Sequence, residues 1–174
     1  MNSDELVALL ERMGDEPSDE EQGLSALDHG LQCAWELSRT HPDDIGLALA
    51  GLVHDVGHAF GPDEEHDRLG AAFVRAALGD RAAWLVGAHV VAKRYLVATD
   101  PTYEAQLSAT SIRTLALQGG ALDGPDVERF AHHPRVADAL ALRRADEAAK
   151  IPGRAVPPLE RWVPDLRALS SPVD

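Results

Sequence analysis

Apolar residues recur at three- and four-residue intervals along most of the chain, the spacing of a single helix face. Asn2-Ser3-Asp4-Glu5 supplies a cap before Leu6, Leu9 and Leu10, predicting a first helix. "GDEPSDEEQG", residues 14–23, is a polar loop with one Pro and two Gly. Leu24, Leu27, Leu31, Ala34 and Leu37 then form one stripe to about residue 38, closed by "THPDD". Residues 44–52 are apolar on most sides, which predicts a central helix. After the break at "FGPDEE", the pattern predicts helices over about 65–77 and 80–98, the second bent near Gly87. "TDPTYEAQLSATSIRTLALQGG" reads as one or two helices stopped by Gly119-Gly120. "DGPDVERF" opens another with Pro in its first turn. Residues 134–150, "PRVADALALRRADEAAK", give the longest clean amphipathic pattern. A short helix around 158–168 follows the Pro-rich "IPGRAVPP", and residues 170–174 are expected to fray. With no alternating strand pattern and no repeat, the chain reads as an all-α, single-domain bundle of seven to nine helices.

At 174 residues the chain can build one proper core and is short for two domains. A formal charge of −13 argues against nucleic acid or an anionic membrane as partner. It is compatible with a small anionic substrate held in a local basic pocket. The single cysteine, Cys33, allows neither an intrachain disulfide nor a thiolate zinc cluster. Without a signal-like N-terminus or an apolar run of 18 residues, the expectation is a cytoplasmic protein.

Chemistry enters at "LAGLVHDVGHAFG", residues 48–60, where His54, Asp55 and His58 end a strongly apolar run. Buried imidazoles and carboxylates need partners, supplied by a hydrogen-bond network or by a metal. If the helix continues, His54 and His58 share a face. Such a group holds a metal only with help from elsewhere. Other polar residues embedded in apolar helix patterns are His29, His66, His89 and Asp146. Eight histidines in an acidic chain with three Phe and two Tyr are an odd balance, and imidazole with carboxylate suits iron, manganese or zinc. Plainer readings stand beside this one. Each histidine alone is a satisfied core or capping group, and Asp146 pairs with Arg143 or Lys150 on its own helix. Lys93 and Arg143 then belong to a solvated face. His41 and the pair His132-His133 are read as helix-end residues before proline.

The order His29 … His54-Asp55 … Asp146 resembles the HD superfamily, helical metalloproteins named for a His-Asp doublet, many of them phosphohydrolases. "LDHGLQCA", "LVHDVGH", "GAHVVAKRYLV", "TLALQGG" and "RADEAAK" are more specifically similar to the HD-domain mixed-valent di-iron oxygenases that cleave hydroxyphosphonates. The likeness spans about residues 24–152, leaving 153–174 as a C-terminal tail. It implies one iron on His29, His54, Asp55 and Asp146, and a second on His66 and His89 with Asp55 bridging. It further implies that Lys93, Arg143, Ser111 and Thr114 bind the phosphonate, Arg143 in bidentate fashion, and that His58 stands beside the substrate as a second catalytic group with Asp55. The implied reaction uses an Fe(II)/Fe(III) pair and O2 to cleave the C–P bond of a 1-hydroxyphosphonate, such as 2-amino-1-hydroxyethylphosphonate. Phosphate and a carboxylic acid are its products. Two such ions bring five positive charges against two aspartates, a surplus that draws a dianion into an acidic protein.

One stretch departs from the family pattern, which carries a Tyr and, three residues later, a Glu just before the first histidine. Those positions are Asp19 and Gln22 here. Glutamine is a weak, neutral iron ligand, so the gating role of that Glu gives way to an open position or to a changed pocket. Glu20 or Glu21 substitutes if the loop register slips. Two other function classes stay open at this point: an HD-type hydrolase of small phosphate esters, and a non-enzymatic scaffold that retains the site.

Overall fold

The computed structural model describes residues 2–16 and 23–170. Its helices are α1 (Ser3–Met13), α2 (Ala26–Thr40), α3 (Ile45–Leu52), α4 (His66–Thr99), α5 (Ala109–Leu117), α6 (Gly124–Ala131), α7 (Val136–Ala148) and α8 (Val163–Ser170). No strand occurs among the described residues, and none of the helices is long and apolar enough to cross a membrane. Local chemistry accounts for the starts. Asn2 with Glu5, and Ser25 with Asp28, form reciprocal capping boxes on α1 and α2. Asp44, Ser108 and Asp123 cap α3, α5 and α6 through their side chains.

The most apolar helix is also the innermost. Leu47, Ala48, Leu49 and Ala50 of α3 are all buried, and α3 packs against α2, α4, α7 and α8. The stretch set apart as a tail packs into this core. Leu159, Trp162 and Leu166 are buried, and α8 contacts α1, α3 and α4. Ser170 ends α8, and residues 171–174 of the expected fraying lie outside the described residues.

The 65–98 region divides as expected into two helical runs, which meet across a kink at Gly79 (φ 77°), whereas Gly87, where a bend was expected, keeps helical backbone angles. A left-handed φ is costly for any residue but glycine, so the chain turns where a glycine permits it. One expectation needs correction: the helix before His54 does not run on to His58. It ends at Leu52, and His58 lies in a separate 3₁₀ turn, Val56–Ala59. That turn presses against the start of α4. A Cβ built on Gly57 would sit 2.6 Å from the His66 carbonyl carbon and 2.7 Å from the Gly70 amide nitrogen. Only glycine lets the two backbones approach this closely.

Candidate metal centre

Five separate stretches deliver side chains to one place. α2 presents His29; the turn after α3 presents His54 and Asp55; His66 opens α4, and His89 follows 23 residues later on the same helix. Asp146 comes from the last turn of α7. His29, His54, His66, His89 and Asp146 are all buried.

Every one of these imidazoles is oriented the same way. Nδ1 of His29 donates to the Ala149 carbonyl (2.9 Å), that of His54 to Gly51 (2.8 Å), that of His89 to Val86 (2.6 Å), and that of His66 to Asp63. A neutral imidazole that gives its N–H on one side keeps a lone pair on the other. Four Nε2 lone pairs therefore face inward, and those of His29 and His54 are buried without a hydrogen-bond partner. Nε2 of His66 and of His89 stand 2.9 Å apart, two acceptors that need a cation between them. Backbone donors and buried lone pairs in this pattern are the outer support of metal-ligating histidines.

Asp55 divides its carboxylate between two groups. Oδ2 lies 3.3 Å from His54 Nε2 and 3.4 Å from His29 Nε2; Oδ1 lies 3.6 Å from His89 Nε2 and 3.8 Å from His66 Nε2. Asp146 Oδ1 completes the first group, 3.2 Å from His29 and 3.7 Å from His54. His29, His54 and Asp55 offer ligand atoms close enough for one ion, as do Asp55, His58 and His66. This is a buried His/Asp cluster of metal-binding type. The residues fit the group that the pattern implies.

Without a metal, burial pulls the His29 imidazole down, but the Asp146 and Asp55 carboxylates facing its Nε2 outweigh it and hold the pKa at about 10, so a proton takes the place of a metal cation there. Burial, then the like charges of His66 and His54, keep His89 well below its ordinary value. Burial alone would raise Asp55, yet His54, His29 and His58 hold it well down; Arg143 and Lys150 do the same for Asp146.

A cavity of about 250 Å³ opens onto the cluster, lined by His29, Asp55, His58, His66, His89 and Asp146 together with Lys93, Thr114 and Arg143. Buried Lys93 donates to Thr114 Oγ1 at 2.8 Å, across from α4 to α5. His58 is more open, stacked on His66 with ring centroids 4.2 Å apart, its Nδ1 3.1 Å from Asp63 Oδ1. Ser111 does not line the cavity. Its hydroxyl donates to Glu147 Oε2 (2.9 Å) and accepts from Arg143 Nη2 (3.1 Å) and Lys150 Nζ (2.8 Å). Arg143 is similarly engaged. Nε donates to Tyr103, Nη1 to Asp146, and Nη2 to both Ser111 and Glu147. Four of its five N–H groups are taken, so the expected bidentate grip on an added anion is not available while these partners hold.

Asp19 and Gln22 lie outside the described residues, as do Glu20 and Glu21. His41 and His132 are C-caps of α2 and α6, as the plainer reading had them, and His133 stacks on Trp84 at 3.8 Å. Sequence reading missed Thr110, Arg113 and Gln118, which line the cavity, and Glu147 behind Arg143. A signal existed for two of these, since Thr110 on α5 and Gln118 at its C-cap fall one turn either side of Thr114.

Comparison with known proteins places the chain. The HD domain family profile matches residues 8–141, which takes in the His-Asp doublet. Hydroxymethylphosphonate dioxygenase of Gimesia maris is 31% identical, over 90% of this chain and 84% of that protein. The glycine-betaine-forming 1-hydroxy-2-(trimethylamino)ethylphosphonate dioxygenase of Leisingera caerulea is 32% identical, over 97% of this chain and 92% of its own. An uncharacterized protein of Acanthamoeba polyphaga mimivirus is 25% identical over 81% of this chain. With that family match on one all-helical domain and its buried His/Asp cluster, the chain belongs to the HD domain family, as an enzyme homologous to the phosphonate dioxygenases within it.

Proposed function

We propose that the protein is a di-iron oxygenase that uses O2 to cleave the C–P bond of a small 1-hydroxyphosphonate, releasing phosphate and a carboxylic acid. The observation that carries this reading is the divided Asp55 carboxylate: one oxygen faces the His29/His54 lone pairs, the other those of His66 and His89. His29, His54, Asp55 and Asp146 would hold one iron, and Asp55, His66 and His89 the second. Bound there, an Fe(II)/Fe(III) pair supplies the redox chemistry that dioxygen activation requires. The names of both relatives point the same way, since each acts on a hydroxyphosphonate.

The chain's own groups then position the substrate. Lys93 and Arg143 line the cavity beside the cluster, and Lys93 Nζ and the remaining Nη1 hydrogen of Arg143 would donate to phosphonate oxygens, with Thr114 holding Lys93 in place. Ser111 would act through Arg143, whose Nη2 it accepts. His58 gives its Nδ1 proton to Asp63, leaving Nε2 as a lone pair 4.0 Å from Asp55 Oδ1. That atom can take the proton of a substrate hydroxyl as it binds. At about 250 Å³ the cavity lies at or below the small end of ligand pockets, roughly 300–1,000 Å³, which favours a compact substrate.

The test is iron-loaded protein with hydroxymethylphosphonate or 2-amino-1-hydroxyethylphosphonate, followed by phosphate release and EPR. Oxygen-dependent phosphate release with a mixed-valent signal supports the proposal. Equal release without oxygen refutes it, and turnover of simple phosphate esters with a redox-inert metal establishes the hydrolase instead.

A further inference from the structure

We infer that His58 is a further ligand of the second metal position, completing a set of three imidazoles around one oxygen of Asp55. The inference deepens the two-metal reading proposed above and rests on it. Without His58 the two halves of the cluster are unequal. The first group draws on two imidazoles and two carboxylates, from His29, His54, Asp55 and Asp146. His66 and His89 share only Asp55 Oδ1.

His58 fills the gap. Its Nε2 lies 4.0 Å from that same oxygen, against 3.6 Å for His89 and 3.8 Å for His66. The ligand atoms of Asp55, His58 and His66 all fall within 4.8 Å of one another. Atoms bound about 2.1 Å from a tetrahedral ion stand about 3.4 Å apart, so a cation drawing these groups slightly inward meets all of them. The orientation of the ring agrees. Nδ1 faces Asp63 Oδ1 at 3.1 Å, and a carboxylate behind the imidazole is a regular support of metal-bound histidine. The same residue orients His66 through its main-chain carbonyl. Asp63 therefore turns two stacked imidazoles toward one place.

His58 differs from the other histidines in exposure, with 38% of its side chain open, and it lines the cavity. A ligand at the open side is the one that can leave. When the substrate binds, Nε2 gives up its position and takes the proton of the hydroxyl, whose oxygen replaces it. Proton acceptance thus follows ligation in time. Three neutral imidazoles and one shared carboxylate also leave this position more positive than the first, which suits an anionic oxygen.

The test is calorimetric Fe(II) titration of the full-length protein under argon, without substrate, with circular dichroism to check folding. His58→Phe keeps a ring to stack on His66 but has no lone pair. It should weaken the second metal by about tenfold or more, at least the cost of losing a partner behind a ligand, and leave the first within about threefold. A His58 that only packs, or only takes a proton from substrate, would leave both affinities at wild-type values, and that result overturns the inference. Should His58→Phe fail to fold, Asp63→Ala carries the test, because it removes the support of His58 and keeps the carbonyl that orients His66. A tenfold loss at the second metal supports the inference, and wild-type binding overturns it. Wild type that takes up only one metal sinks the two-metal reading itself, so the two failures are distinguishable.

Discussion

Gly57→Ala is the substitution that tests most directly how the centre is assembled. The new Cβ would collide with the His66 carbonyl oxygen and lie 2.6 Å from the carbonyl carbon, so the backbones must part by roughly 1 Å or more. Neither side yields easily, because both neighbours are main chain. The turn carries Asp55 and His58, and the opposing segment carries His66. Separating them widens the 3.8 Å gap between Asp55 Oδ1 and His66 Nε2, while the His29/His54 side is left as it was. Functional constellations tolerate about 0.5 Å, and a misplacement near 1 Å costs on the order of 100-fold in rate. Overpacking at a rigid site costs about 1–3 kcal/mol, or roughly 2–12 °C in Tm for a chain of this size. The assay is threefold: thermal melting, metals bound per chain, and turnover of a hydroxyphosphonate. The expected result is a folded, moderately destabilised protein that loses the second metal and most of its activity. A variant melting within 1 °C of wild type, with full metal content and activity within threefold, refutes the argument that this backbone contact sets the spacing of the two half-sites.

Asp55→Ala removes the carboxylate shared by both groups of histidines. Metal analysis should find both ions weakened by more than the 10–100-fold that loss of a supporting partner costs, with no measurable turnover. His29 makes metal binding pH-dependent. Its raised pKa of about 10 in the metal-free protein means that binding releases a proton, so apparent affinity should climb by about tenfold per pH unit between 6 and 8 from this group alone; a flat titration contradicts it. The sign also fixes stability. A raised imidazole stabilises the metal-free fold below its unfolded pKa, near 6.5, and that contribution fades as pH rises toward about 10. Melting of the metal-free form should therefore fall relative to the loaded form across that window. Asp44→Ala removes the α3 cap and the pairing of both carboxylate oxygens with Arg81, at 2.7 and 2.6 Å. The cap accounts for about 1–2 kcal/mol and the half-exposed ion pair adds little, giving a Tm about 2–8 °C lower at neutral pH. Arg81 holds this carboxyl below its ordinary value, so the difference from wild type should vanish only as pH falls below about 4.

Periodicity and punctuation carried the helices. Capping side chains at Asn2, Ser25, Asp44 and Asp123 start four of them where the sequence changes from polar to periodic. The near-uniform apolarity of residues 45–52 already marked α3 as central, because a helix without a polar face has no side to show to water. His29, His54, Asp55, His66, His89 and Asp146 stood out for a related reason, as costly groups inside otherwise apolar patterns. What the sequence could not supply was relative placement. That the chain breaks between Leu52 and Val56, so that Asp55 turns one oxygen to each pair of imidazoles, follows from the contact of Gly57 with the start of α4. The commitment of Ser111 to Glu147, and of Arg143 to Tyr103, Asp146, Ser111 and Glu147, follows from the meeting of α5 and the segment before it with α7. Such contacts join residues tens of positions apart and leave no local periodicity. Only the packed tertiary structure fixes which buried charge faces which.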